Sequence, residues 1–384
     1  MSQRLTPFVV LFAVATLSGQ QDDRARMTVH EWGTFTSIAG DDGRAVEWLP
    51  MDGPTDLPCF VDRFRFNLKG SLSGTVRMET PVVYFYSAQE TTVNVKVQFR
   101  QGAVTEWFPN AVVTPAQVNA LSLRSRGFTS TIEWADVKVS PGAATAFPVE
   151  RGSSHYYKAR ETDAAPVRLG PQQEKFLFYR GVGGFQPPIA ATVTADGTVV
   201  VTHAGGEPVG DVILFENHGG TTSYQVRHAS TDRTTFDPLP LDDESGPPLR
   251  ELEALLVSHG LYPREARAMV ETWRDSWFEE GTRLLYLVHP KAIAALVPLE
   301  ISPVPAHIER VFVGRMELVT PATKEEVEAA IIGNDRATLA KYGRFLQPIG
   351  KRLLEEGGPA DRLRLEERLR SLYASWAASP STCR

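Results

Sequence analysis

The run ATVTADGTVVVTH (191–203) sets two β-branched stretches on either side of Asp196-Gly197. β-Branched side chains are stiff at χ1 and suit the pleated surface of a strand. Asp-Gly is the dipeptide that a type I′ hairpin turn favours. The same grammar recurs from about residue 28 to 235. TTVNVKVQF (91–99) places Val93, Val95, Val97 and Phe99 on one face. AVTEWF, after the turn at Gln101-Gly102, is expected as its return strand. STIEWADVKVS, EKFLFYRGV and the two halves of GDVILFENHGGTTSYQVRHA read as further strands, the last pair turning at Gly219-Gly220. Many short strands separated by Gly, Pro and Asp turns predict a sandwich or barrel. Residues 165–235 fit an immunoglobulin-like pattern.

FDPLPLDDESGPP (236–248) is rich in Pro and acid and reads as a linker. Beyond it the hydrophobic period lengthens from strand to helix. PLRELEALLVSHG is helical and stops at Gly260. PREARAMVETWRDSWFEEG carries Pro263 at its first helical position and Gly281 at its end. TRLLYLV and ERVFVGRMELV read as strands, with the short helix KAIAALV between them. Thr323 and Glu326 form a capping box. Leu365, Leu369, Leu372, Tyr373 and Trp376 recur at helical spacing and predict a buried stripe. The expected fold class is α+β: a β-rich, sandwich-like region over 20–240, then an α+β region over 241–384 with a helical C-terminus. A length of 384 residues also suits two domains.

The N-terminus bears on compartment. Arg4, the apolar stretch 8–17 and the small-residue site Leu17-Ser18-Gly19 have the order of a secretory signal peptide over residues 1–19. A secreted or periplasmic location follows as an expectation. Gln20 stands where a lipoprotein would need Cys. No later stretch approaches the roughly 20 apolar residues of a membrane span, so no transmembrane anchor is expected. The net charge is −6 and Lys and Arg are not clustered. Nucleic acid is therefore not an expected partner, because phosphate contacts need grouped cations. Cys59 and Cys383 can pair in an oxidising compartment or remain thiols, and their spacing leaves both open.

Three places could carry chemistry. In MTVHEWGTFTSIAG (27–40), a strand puts His30 and Trp32 on one face and Glu31 on the other. Either this is a half-buried strand, or His30 or Glu31 points into a cleft. Glu-Trp recurs at 31–32, 47–48, 106–107 and 133–134. Alternation predicts Trp inward and Glu outward, unless ring and carboxylate together form a sugar-binding face. In the helix 263–280, Ala266, Met269, Val270, Trp273 and Trp277 share one face, and Glu271, Asp275 and Glu279 lie opposite. Glu280 falls on the Trp face at the helix C-terminus. There the macrodipole and apolar neighbours would raise its pKa, as a general acid requires. Pairing with Arg283 is the alternative. RGSSHYYKARETDAAPV (151–167) crowds His155, Tyr156, Tyr157, Lys158, Arg160, Glu161 and Asp163 into an expected loop. The eight histidines match no metal motif, although His30 and His155 could converge with a carboxylate on a divalent metal. No Gly-x-Ser-x-Gly and no Gly-rich phosphate loop is present.

VHEWGTFTS, RMETPVVYFYS, HYYKARETDAAP, TWRDSWFEEGTRLLY and RVFVGRMEL together resemble a set of secreted bacterial proteins generally labelled hypothetical. The resemblance covers about residues 28–320. It implies an exported bacterial protein and assigns no activity or catalytic residue. From the residues themselves, the first expected function is a hydrolase acting on an extracellular polymer or glycoconjugate. Glu280 would be the proton donor, with Glu31 or Glu279 as base or nucleophile, or with His30 and His155 on a metal. The second is a non-catalytic envelope or surface module. It would bind carbohydrate or protein through Trp32, Tyr156, Tyr157 and Trp277, helped by Arg160.

Overall fold

The computed structural model describes residues 27–377, apart from 52–56, 65–71, 120–121, 151–153, 230–231 and 241–245. The signal-peptide segment, much of the linker and Cys383 lie outside the described residues, as do the side chains of Tyr373 and Trp376. Cys59 is disulfide-bonded.

In chain order the strands are β1 (Thr28–Ile38), β2 (Asp62–Arg63), β3 (Val76–Tyr86), β4 (Thr91–Arg100), β5 (Gly102–Phe108), β6 (Val112–Thr114), β7 (Thr129–Val139), β8 (Val167–Leu169) and β9 (Gln172–Glu174). There follow β10 (Leu177–Gly183), β11 (Ile189–Val193), β12 (Val199–His203), β13 (Asp211–His218), β14 (Thr221–His228), β15 (Arg233–Phe236), β16 (Gly281–Val288), β17 (Leu299–Ser302) and β18 (His307–Leu318). The helices are α1 (Leu249–Ser258), α2 (Pro263–Trp277), α3 (Pro290–Leu296), α4 (Pro321–Gly333), α5 (Arg336–Lys341), α6 (Leu346–Glu356) and α7 (Pro359–Ala377).

The strands make three sheets. A nine-stranded sheet runs β14-β13-β16-β18-β1-β3-β10-β5-β2. A six-stranded sheet runs β17-β4-β7-β8-β9, with β6 also on β7, and a three-stranded sheet runs β11-β12-β15. One face of the large sheet meets both smaller sheets, so the β-rich part is sandwich-like. Val29, Phe35, Met78, Phe85, Leu284 and Phe312 from the large sheet pack with Val93, Val95, Val97, Phe99, Trp134 and Val201 from the small ones. Burying each such side chain stabilises by roughly 1.5–3 kcal/mol. The other face carries helices. Trp32, Val82, Tyr84, Phe178, Val311 and Val313 meet the α2 stripe of Ala266, Met269, Val270, Trp273 and Trp277. Farther along, Ile38, Trp48 and Val319 meet Val327, Phe345, Ile349, Leu365 and Leu369 of the C-terminal helices. Beta-rich sheets followed by C-terminal helices give the α+β class.

Several expectations change in detail. AVTEWF does not return along β4, because β5 crosses to the large sheet and pairs with β10 and β2. Tight packing permits this: a Cβ on Gly102 would lie 2.4 Å from the Phe99 ring, so only glycine lets the chain turn there. Residues 165–235 form no separate immunoglobulin-like unit, since their strands are shared among all three sheets. The division at residues 240 and 241 separates no sheets either. β16 and β18 from the second half sit inside the large sheet, β18 parallel to β1. The 196–197 hairpin exists, but only Gly197 has positive φ (84°), whereas type I′ needs two such residues. Helix α4 starts earlier than Thr323: Thr320 is its N-cap and accepts from the Thr323 N–H at 3.1 Å.

Candidate functional site

On the helix-covered face of the large sheet, a row of charged side chains separates the two apolar regions. Arg180 sits opposite Glu106, and Thr36 opposite both Arg77 and Arg315. Arg283 sits opposite Glu317. Every carboxylate in the row has guanidinium company. Glu79 takes Thr36 Oγ1 at 2.9 Å and pairs with Arg77 and Arg344. Burial pushes the Glu79 carboxyl up, but Arg344, Arg77, Arg180 and Arg315 more than offset it, and its pKa is lowered. Arg180 donates to Thr80 Oγ1 at 3.1 and 3.2 Å. Thr80 has φ 44° in a bulge of β3, a strained place for a β-branched residue.

The row ends under the last turn of α2. Arg283 Nη1 donates to the Trp277 carbonyl at 2.9 Å, and its Nη2 to the Glu280 carbonyl at 2.6 Å. The Trp277 carbonyl is one of the acceptors a helix end leaves unpaired, and the Glu280 carbonyl belongs to the turn that follows, so the guanidinium ties the end of α2 to that turn. The same Arg283 grips Glu317 at 3.0 and 3.1 Å. Arg315 bridges Ser276 Oγ (2.8 Å), Glu279 (2.7 Å) and Glu317 (3.1 Å). Arg283 and Arg315 are both fully buried.

Beyond this end lies the candidate metal centre. His218 comes from the end of β13, Glu280 from the turn into β16, and Glu326 from α4. One ligand atom from each lies within 4.8 Å of the others. His218 Nδ1 faces Glu280 Oε1 at 3.6 Å and Glu326 Oε2 at 3.9 Å. Ligand atoms around one tetrahedral zinc sit roughly 3.3 Å apart, so a small contraction would close the set. The other ring nitrogen, Nε2, meets Glu216 Oε1 at 2.9 Å. A carboxylate behind the ring is how metal-bound histidines are held in one tautomer and orientation. The Glu216 hydrogen bond raises the His218 pKa against burial, helped by Glu280 and Glu326. Glu280 accepts the Gly219 N–H at 2.8 and 3.1 Å, and Tyr342 Oη donates to Glu326 at 2.7 Å. Burial and that bond keep the Tyr342 phenol well above its usual pKa. Glu326 is a third exposed (34%) and Glu280 is 8% exposed, so the group opens to water on one side.

The structure separates most of the expected site residues. Glu31 points away from Glu280, through the sheet. It takes Tyr179 Oη at 2.5 Å and pairs with Arg310 at 2.5 Å on the sandwich side. It is no partner base for Glu280. His30 pairs with Glu265 at 2.7 Å, and His155 lies 3.6 Å from Asp275. These partners sit ten residues apart on α2, roughly 15 Å along the axis, so His30 and His155 share no metal. Trp32, Tyr156 and Trp277 are buried core side chains and offer no stacking surface. Tyr157 Oη receives the Glu150 N–H at 3.0 Å. Arg160 is fixed on Glu174 at 2.7 and 2.8 Å and stands 4.8 Å from the Tyr157 ring. Residues 155–160 form a 3-10 helix rather than a loop. Glu279 and Glu280 lie in the turn beyond α2 and part there, Glu279 pairing with Arg315 and Glu280 joining His218 and Glu326. Arg283 holds the Glu280 carbonyl rather than its carboxylate. Sequence reasoning missed His218, Glu216 and the site role of Glu326. The one signal was Glu280 itself, out of place on its helix face, since 62 and 46 residues separate it from the other two ligands.

No family model matches the chain, and no curated protein is similar enough to match it.

Proposed function

We propose that the protein is a metal-dependent hydrolase that is exported and acts on an extracellular polymer or glycoconjugate. His218, Glu280 and Glu326 are the ligands of its divalent cation. The observation that carries the reading is the approach of these three ligand atoms to within 4.8 Å. Imidazole plus carboxylates suits zinc or manganese. Three protein ligands with one open side is the pattern of catalytic rather than structural sites. When bound, such an ion lowers the pKa of a coordinated water and polarises an oxygen of the scissile group. Glu216 holds the imidazole so that Nδ1 faces the ion. Tyr342 orients Glu326, and the Gly219 N–H orients Glu280. Glu279, the chain neighbour of Glu280 and held by Arg315, is our choice for the carboxylate that moves the proton. Glu280 thus becomes a ligand instead of the proton donor. The binding-module alternative has less support, because Trp32, Tyr156 and Trp277 are buried. Export rests on the signal-like N-terminus and on the resemblance to secreted bacterial proteins. Among the described residues no helix is long and apolar enough to cross a membrane.

The test is calorimetric titration of chelator-stripped full chain with Zn²⁺ and Mn²⁺, followed by a hydrolysis screen with and without the bound ion. One ion should bind per chain, and His218→Ala and Glu280→Gln should each weaken binding by more than about tenfold. Absence of binding, or affinity untouched by both variants, would refute the metal centre.

A further inference from the structure

At the other end of α2 lies a pocket of about 700 Å³. That is within the usual size range of small-molecule sites. Its wall includes Tyr86, Asp163, Thr162, Lys175 and Arg264. Two features of this wall are unexplained by folding. Lys175 is half-buried, and among the described residues its ammonium meets no carboxylate at hydrogen-bonding distance. The nearest acid in sequence, Glu174, is committed to Arg160 and Tyr156. Asp163 is committed to Arg264. Thr162 is buried at 3% exposure, and among the described residues its hydroxyl has no partner. A buried hydroxyl without a partner is uncommon and costly.

Two cations thus line the concave wall, Arg264 together with its partner Asp163, and the unused hydroxyl lies buried within that wall. Burial and the neighbouring Arg264 push the Lys175 pKa down, and Asp163 and Glu174 oppose this without cancelling it. A ligand bearing negative charge would relieve both the repulsion and the unpaired hydroxyl.

The wall behind is tied together by hydrogen bonds and ring contacts. Tyr86 Oη donates to Glu265 Oε2 at 3.2 Å, and His30 Nδ1 approaches the same oxygen at 2.7 Å. Tyr262 lies against both rings, at 4.5 Å from His30 and 4.8 Å from Tyr86. His30 thus has a place: it anchors the second layer of this pocket, one side chain removed from it.

We propose that the pocket is a binding site for an oxyanion, the carboxylate or phosphate group of a small ligand, held by Lys175, Arg264 and Thr162. The site is independent of the metal centre. Arg264 and Trp277 are thirteen residues apart on α2, which places the two sites roughly 20 Å apart along the helix. A pocket there can hold a separate ligand, or a charged group on a long polymer that reaches both ends.

The experiment is titration of the full chain at neutral pH with inorganic phosphate and, separately, with glucuronate. Heat of binding and protection of Lys175 from an amine-reactive ester, read by mass spectrometry, are the two signals. At least one anion should bind and slow the labelling of Lys175. Lys175→Met should weaken binding by at least about tenfold and Thr162→Val by less, with the melting temperature unchanged in both. Preference for phosphate identifies a phosphoester ligand, and preference for glucuronate identifies a uronic acid or similar carboxylate. Both outcomes support the site. It is overturned if neither anion binds, if Lys175 labels equally fast with and without them, or if Lys175→Met binds as tightly as the parent.

Discussion

The two ends of α2 meet the same sheet face in different ways. At its first turn a single carboxylate, Glu265, is fully buried with His30 and Tyr86 in an aromatic surround. At its last turn Arg283 and Arg315 join Glu279 and Glu317 in a continuous ionic network. One buried charge can be managed with two neutral or switchable partners. Several can be managed only if each compensates the others, because desolvation of an ion costs more than any one contact returns. The first end therefore packs like core, and the second like a charged seam whose geometry is fixed by many bonds at once.

That contrast sets a series of expectations. The largest effect belongs to Arg283→Met, which leaves Glu317 with Arg315 alone and frees the Trp277 carbonyl at the end of α2. It should destabilise by about 3–5 kcal/mol in urea unfolding. Glu265→Leu, at the other end, leaves only the His30 and Tyr86 groups unpaired and should cost about 1–3 kcal/mol. Equal losses for the two variants would erase the distinction. Glu216→Ala should sharpen it differently. Metal affinity should fall about 10–100-fold in calorimetry while the melting point hardly changes, because the other bond Glu216 makes is a long one from Thr282 Oγ1 at 3.3 Å.

The smallest effect is one of pH, and its sign differs between two groups at the charged seam. The Glu79 carboxyl is lowered in the folded state. Its contribution is present above its unfolded value, near 4.3, and is lost as pH falls through the folded value. His218 is raised. Its contribution is present below about 6.5 and is lost as pH rises through the folded value. Metal-free protein should thus decline slightly in thermal stability on the alkaline side, and His218→Gln should flatten that decline. Metal affinity should rise with pH over the same window, since the ion takes only the neutral ring.

Elements with strong local signals were legible. The α2 stripe is buried residue for residue, and β13 and β14 turn at Gly219-Gly220 as their sequence requires. The Glu-Trp pairs were half legible. Glu47 and Glu133 are exposed beside buried Trp48 and Trp134, as alternation predicts. Glu31 and Glu106 are buried, because β1 and β5 lie in a sheet covered on both sides. No periodicity reports whether the polar face of a strand has a second layer on it. The candidate site was legible only at Glu279 and Glu280, because their neighbours come from a distant hairpin and a distant helix. Even the helix end was misplaced by three residues. Arg283, which ties the end of α2 to the following turn, acts through tertiary hydrogen bonds that no capping rule encodes.

The pairing of β1 with β18 has a consequence for biosynthesis. Glu31 and Arg310 are joined across 279 residues. The opening strand must wait, during synthesis, until most of the polypeptide has been made before its parallel neighbour exists. Contacts this remote in sequence slow folding. Until that neighbour arrives, β1 has only its β3 side to pair on.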